Sequence, residues 1–121
     1  MNKDECLATI DEISKLERGF NGYDALPIDK SVIEQARTIV DILKYQPFIV
    51  PTGRRTIQFE YHISNPTKHY MEFEIYSDKI DILICHDYDY EYAYELTLSK
   101  NDNQLDRLQE QLDFFFNSVY E

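Results

Sequence analysis

The chain contains no tryptophan, three glycines, four prolines and two cysteines in 121 residues, and each shortage excludes something. So little glycine and proline, in a chain that is 43% hydrophobic and 14% aromatic, excludes a disordered or collagen-like protein. The two cysteines, Cys6 and Cys85, are too few for a disulfide scaffold and lack C-x-x-C spacing, so both are expected to be reduced, partly buried thiols. No apolar run approaches the roughly 20 residues that span a membrane, and the opening MNKDECLATIDEI carries acids where a secretory signal needs bases and an apolar stretch. A cytoplasmic location is the expectation. The length suits one domain, residues 1–121, burying about two thirds of the surface its unfolded chain exposes.

Positive charge is the other scarcity. Twelve Lys and Arg stand against 23 Asp and Glu, a net charge of −11, and the imbalance is local. Residues 1–55 carry nine acids and eight bases, whereas residues 56–121 carry fourteen acids and four bases. Such a chain is repelled by nucleic acid and by anionic membranes and attracted to basic surfaces, so direct contact with DNA, RNA or lipid is disfavoured.

What is present is periodic. Cys6, Ile10, Ile13 and Leu16 recur at helical spacing within residues 3–18, and Gly19 stands just past them, where glycine can take a left-handed cap. In the connector FNGYDALP, Asn21-Gly22 can supply a turn with positive φ. Asp29 is placed to cap a second helix, with Ile28 and Ile33 as a hydrophobic staple and Val32, Ala36, Ile39, Val40 and Leu43 as its buried stripe.

Beyond Tyr45-Gln46-Pro47 the period drops to two. Ile57, Phe59, Tyr61 and Ile63 form one alternating set, Met71, Phe73 and Ile75 a second, and Ile80, Ile82 and Ile84 a third. The stretch HDYDYEYAYELTL, residues 86–98, is a fourth. Phe48–Val50 could add a fifth strand. Asn101 can cap a last helix whose Leu105, Leu108, Leu112, Phe115, Phe116 and Val119 share a face. The expected fold is therefore α+β, in the order ααββββα, with the helices mainly on one face of an antiparallel sheet.

Parity then sorts the tyrosines from the acids. Tyr90, Tyr92 and Tyr94 share a face with Leu96 and Leu98, so they are expected to face the helices, some at the margin with wet hydroxyls. Glu60, Glu72, Glu74, Asp81, Glu91 and Glu95 face outward, with Asp87 and Asp89 at the rim and Lys79 as their clear basic neighbour. Carboxylates on one face of a strand repeat every ~6.8 Å, and neighbouring strands lie ~4.8 Å apart, so such a face can approximate a phosphate array of ~3.4 Å spacing.

Chemistry finds no comparable foothold. Asp87, Asp89 and Glu91 begin like a calcium loop, but Tyr92 occupies the position that needs glycine and Leu98 the one that needs glutamate. A looser site built from His86 with Asp87 or Asp89 is left open. Cys85 and His86 are strand neighbours pointing to opposite faces, which prevents thiol activation, and His62 and His69 are expected in solvent. No P-loop, dinucleotide fingerprint or zinc spacing occurs. Neither catalysis, a cofactor nor a metal is expected.

The segments FNGYDALP and PTGRRTIQFEY, with Ala36 and Pro47 between them, resemble a group of small, mostly uncharacterised bacterial and phage-associated proteins. Their pattern runs from Trp through Gly-Tyr-Gly-Ala and Pro to a helix, then a Pro-Thr turn entering a strand. Phe20 and Tyr61 stand where that group has tryptophan, Asp24 replaces a glycine, and Arg54-Arg55 replace a glycine-rich turn. The resemblance implies the order of elements and no activity. By size and charge alone the chain is also similar to acidic phage proteins that block nucleases, such as anti-CRISPR and anti-restriction proteins.

The expected function is a non-enzymatic inhibitor whose acidic sheet face docks on a basic protein, such as a nuclease or another nucleic-acid-binding protein. The alternative is an antitoxin or immunity-like partner that uses Phe20, Asn21, Tyr23, Asp24 and Leu26. Self-association is compatible with either.

Overall fold

A computed structural model describes residues 2–65, 67–86 and 93–120. Among the described residues three helices, α1 (Lys3–Ser14), α2 (Lys30–Ile42) and α3 (Gln104–Tyr120), accompany five strands: β1 (Phe48–Pro51), β2 (Ile57–Ser64), β3 (Lys68–Ile75), β4 (Lys79–His86) and β5 (Tyr94–Ser99). The strands form one antiparallel sheet in the order β1-β2-β3-β4-β5, so each pairs with its neighbour in sequence. The α+β order is as the periodicity requires, and Phe48–Pro51 supplies the fifth strand.

Register explains why one face of the sheet is apolar. Tyr61 lies opposite Met71, Phe59 opposite Phe73 and Ile57 opposite Ile75, and β4 continues the rows with Ile84, Ile82 and Ile80. These rows join buried residues of all three helices in a single cluster, among them Ile10 of α1, Ile39 of α2 and Phe115 of α3. The staple pair Ile28 and Ile33 is buried at the entry to α2. In β5, Leu98 is buried and Leu96 packs against the core, while Tyr94 is 48% exposed at the margin. The remaining tyrosines of that stretch, Tyr88, Tyr90 and Tyr92, lie outside the described residues, as do Asp87, Asp89 and Glu91.

Several local expectations are corrected. Helix α1 stops at Ser14, short of Leu16. The Ser14 hydroxyl donates to the Asp11 carbonyl at 2.6 Å, and the Lys15 N–H turns to Glu12 at 3.2 Å, which tightens and ends the last turn. Gly19 is accordingly not the cap of α1. It still takes φ +81°, and its N–H reaches the Ala25 carbonyl at 2.8 Å to close the connector. Asp29 makes no side-chain cap, because its carboxylate is drawn to Arg55 at 2.8 Å instead. Asn101 shapes the entry to α3 by accepting from the Asn103 N–H at 2.9 Å. Both thiols are fully buried rather than partly so.

Candidate functional site: an acidic sheet face

The face turned away from the helices carries Glu60, Glu72, Glu74, Asp81 and Glu95, and the register sets them against one another. Glu60 lies directly opposite Glu72, and Glu74 directly opposite Asp81. Like charges in such positions normally destabilise a sheet, by roughly 0.2–1 kcal/mol for each pair. Glu72, Glu74, Asp81 and Glu95 line one concavity of about 280 Å³, together with Ile82, Leu83, Leu96 and Thr97. The face is not uniformly polar, since Tyr70 and Cys85 are buried on it opposite each other.

The electrostatics of this face differ from a bare acidic stripe, because bases outside it reach in. Arg54, expected in a turn, lays its guanidinium on Glu74 through two hydrogen bonds of 2.9 Å each. The Thr56 hydroxyl, itself buried, donates to the same carboxylate. Burial alone would push the Glu74 carboxyl up. The bonds from Arg54, Thr56 and Tyr76, together with the charge of Arg54, outweigh it and hold the pKa below the usual value. Glu74 is thus an outward residue by parity that is only 9% exposed. Elsewhere, Lys79 pairs with Asp81 at 3.4 Å, Thr97 donates to Asp81 at 2.9 Å, and His62 contacts Glu60 at 3.0 Å.

Glu72 is the exception. Burial raises its pKa, and the charges of Glu60 and Glu74 raise it further, against opposition from a Tyr70 hydrogen bond and the more distant Arg54. The folded state therefore holds the Glu72 proton more tightly than the unfolded chain does. Its effect on stability is most favourable at low pH and is lost as pH rises through the folded pKa. Replacing Glu72 by Gln should accordingly raise the unfolding free energy at pH 7 by roughly 0.2–1 kcal/mol. In denaturant titrations the gain should shrink as pH falls through the raised folded pKa, and should be absent below pH ~4.5, where the carboxyl is protonated in both the folded and the unfolded chain.

The alternative site residues are also placed. Tyr23 is 82% exposed and Leu26 43% exposed, and Asp24 faces Arg18 at 3.7 Å. Asn21 accepts the Tyr23 N–H at 2.9 Å, whereas Phe20 turns inward and packs on the core. The two segments that carry the resemblance meet in space. Arg55, at φ 63°, donates to the Pro27 carbonyl at 3.0 Å, and Gly53 sits beside the Asn21 side chain.

Cys6 donates to the Pro47 carbonyl at 3.4 Å, and burial pushes its thiol pKa up, away from the nucleophilic form. His69, expected in solvent, is partly buried and shares a 2.8 Å hydrogen bond with His86. Among the described residues no three His, Cys, Asp or Glu side chains are grouped so as to hold a metal ion. No described helix is long and apolar enough to cross a membrane.

Sequence reasoning missed the Arg54–Glu74–Thr56 network. The signal for it was modest: a pair of arginines at the start of a strand whose neighbour carries two outward glutamates. Compared with protein-family models, with curated proteins and with solved structures, the chain matches none.

Proposed function

We propose that the chain is a non-enzymatic, acidic protein-binding inhibitor whose outer sheet face docks on the basic, nucleic-acid-binding surface of a partner protein. The observation that carries this reading is the concavity itself, where carboxylates from three adjacent strands converge and Glu74 sits directly opposite Asp81, with Glu60 opposite Glu72 at its border. Its stored repulsion would be relieved by a cationic surface, and the net charge of −11 would steer that surface toward it. Anti-restriction and anti-CRISPR proteins that imitate nucleic acid are the functional class this chemistry suits, acting within the cytoplasm.

Glu74 is unsuitable for testing the idea, because its carboxylate organises Thr56 and Arg54. The double reversal Glu72→Lys with Glu95→Lys should weaken binding to the partner more than tenfold, and raising ionic strength from about 0.05 to 0.5 M should slow association of the wild type. Titrations by calorimetry and stopped flow would measure both. Affinity unchanged by the reversal would reject the face as the docking surface.

A second reading, an antitoxin or immunity-like protein, is favoured by the exposure of Tyr23 and Leu26 on the connector. Under that reading Tyr23→Ala, and not the charge reversal, abolishes the complex.

A further inference from the structure

Strand β1 covers only part of β2. Its pairing runs from Pro51 opposite Ile57 to Phe48 opposite Glu60, so β1 has no residue opposite Tyr61, His62 or Ile63. In the notch left there, the segment before β1 and the end of α3 bound a concavity of about 420 Å³. Its walls are aromatic. Tyr45 stacks on Phe116 with centroids 3.9 Å apart and planes 19° off parallel, and Tyr120 lies near-parallel to Phe116 on a 6.4 Å centroid distance. Tyr61 meets Phe116 edge-on at 5.3 Å, with its hydroxyl donated to the Tyr45 carbonyl at 2.7 Å. Phe48 and Tyr120 stay 56% and 60% exposed.

Glu60 also lines this notch, with its side chain 17% exposed. Its oxygens are approached by Gln58 at 3.1 Å and His62 at 3.0 Å, both bonds of ordinary length. Ring faces carry partial negative charge, and a carboxylate among them adds a full one, so the notch combines apolar walls with attraction for a cation. A guanidinium suits it better than an ammonium, because it is planar, weakly hydrated and able to stack on a ring while donating to a carboxylate. The position is informative too, since Glu60 lies opposite Glu72 and joins the notch to the acidic face.

We infer that the notch bounded by Tyr45, Phe48, Tyr61, Phe116, Tyr120 and Glu60 receives an arginine side chain of the basic partner. The inference rests on the reading that the partner is basic, and it assigns that partner an anchor. The acidic face supplies long-range attraction, and the notch fixes where the complex locks, through a desolvated contact that salt weakens less.

The probe is acetyl-Gly-Arg-Gly-amide, titrated into the whole chain and followed by aromatic and backbone NMR shifts. Saturable shifts centred on Phe48, Glu60 and Tyr120 are expected at millimolar peptide. Acetyl-Gly-Leu-Gly-amide should give none, and Tyr120→Ala or Glu60→Gln should each weaken the arginine peptide at least threefold. Both replaced side chains lie outside the apolar cluster, and unchanged methyl shifts in the core would verify that the variants fold. Shifts confined to the concavity around Asp81 and Glu95, shifts nowhere, or affinity unaffected by Tyr120→Ala would each overturn the inference. A partner complex that is lost on reversing Glu72 and Glu95 but indifferent to Tyr120→Ala would reject the notch and leave the acidic face standing. The opposite pattern would reject the face and keep the notch.

Discussion

Replacing Phe115 by alanine should lower the unfolding free energy by about 3–5 kcal/mol. The ring is fully buried, packs edge-to-face on Phe116 at 5.3 Å and lies over His86 at 6.1 Å, and it belongs to the cluster that joins α3 to the sheet. Truncation removes apolar surface from the core and leaves a cavity bordered by residues that strand pairing fixes in place, so little collapse can offset the loss. The neighbouring Phe114 provides the control. It is 60% exposed on the same helix, and Phe114→Ala should change stability by less than about 0.5 kcal/mol. Urea titrations of the two variants would separate the faces of α3. Equal effects would mean that the helix does not dock as described.

The second large effect is expected at Arg54. Arg54→Ala removes two charge-assisted hydrogen bonds from a carboxylate whose side chain is only 11% exposed, and because the arginine itself is 59% exposed to solvent the cost should be about 1–2 kcal/mol at pH 7. Arg54→Lys should recover less than half, since an ammonium cannot engage both oxygens of Glu74 in the same geometry. The pH dependence has a definite sign. The folded pKa of Glu74 lies below its ordinary value of 4.5, so its contribution is complete above that value and is lost as pH falls through the folded pKa. The wild type and Arg54→Ala should therefore converge in stability in acid, well below pH 4.5. A difference that stayed constant down to pH 3 would show that Arg54 acts through packing and not through the carboxylate.

These two sites differ in how much of them the sequence discloses. Phe115 is legible because Leu108, Leu112, Phe115, Phe116 and Val119 repeat at helical spacing, and a stripe of that length has one place to go. The sheet is legible for the same reason at period two, and so is the outward set of acids, since parity alone separates Glu72 from Met71 and Phe73. Arg54 is not legible. Its reach to Glu74 depends on a turn in which Arg55 takes a positive φ, and that conformation is held by Asp29 and Pro27 from a distant part of the chain. The end of α1 was hidden in the same way, by the Ser14 hydroxyl competing for a backbone carbonyl. The aromatic notch draws its walls from the segment before β1, the edge of β2 and the last turns of α3, and no local period links those residues. Sequence thus located the acidic face, while tertiary contacts decide which of its carboxylates are already neutralised and which are available to a partner.

That availability can be tested by competition. A basic, nucleic-acid-binding protein captured by this chain would be loaded with fluorescently labelled duplex DNA and titrated with the wild type and with the Glu72→Lys, Glu95→Lys variant. The wild type should release the duplex stoichiometrically, and the variant should need more than ten times the concentration to do so. A stable ternary complex, in which duplex and wild-type chain sit on the partner together, would contradict it.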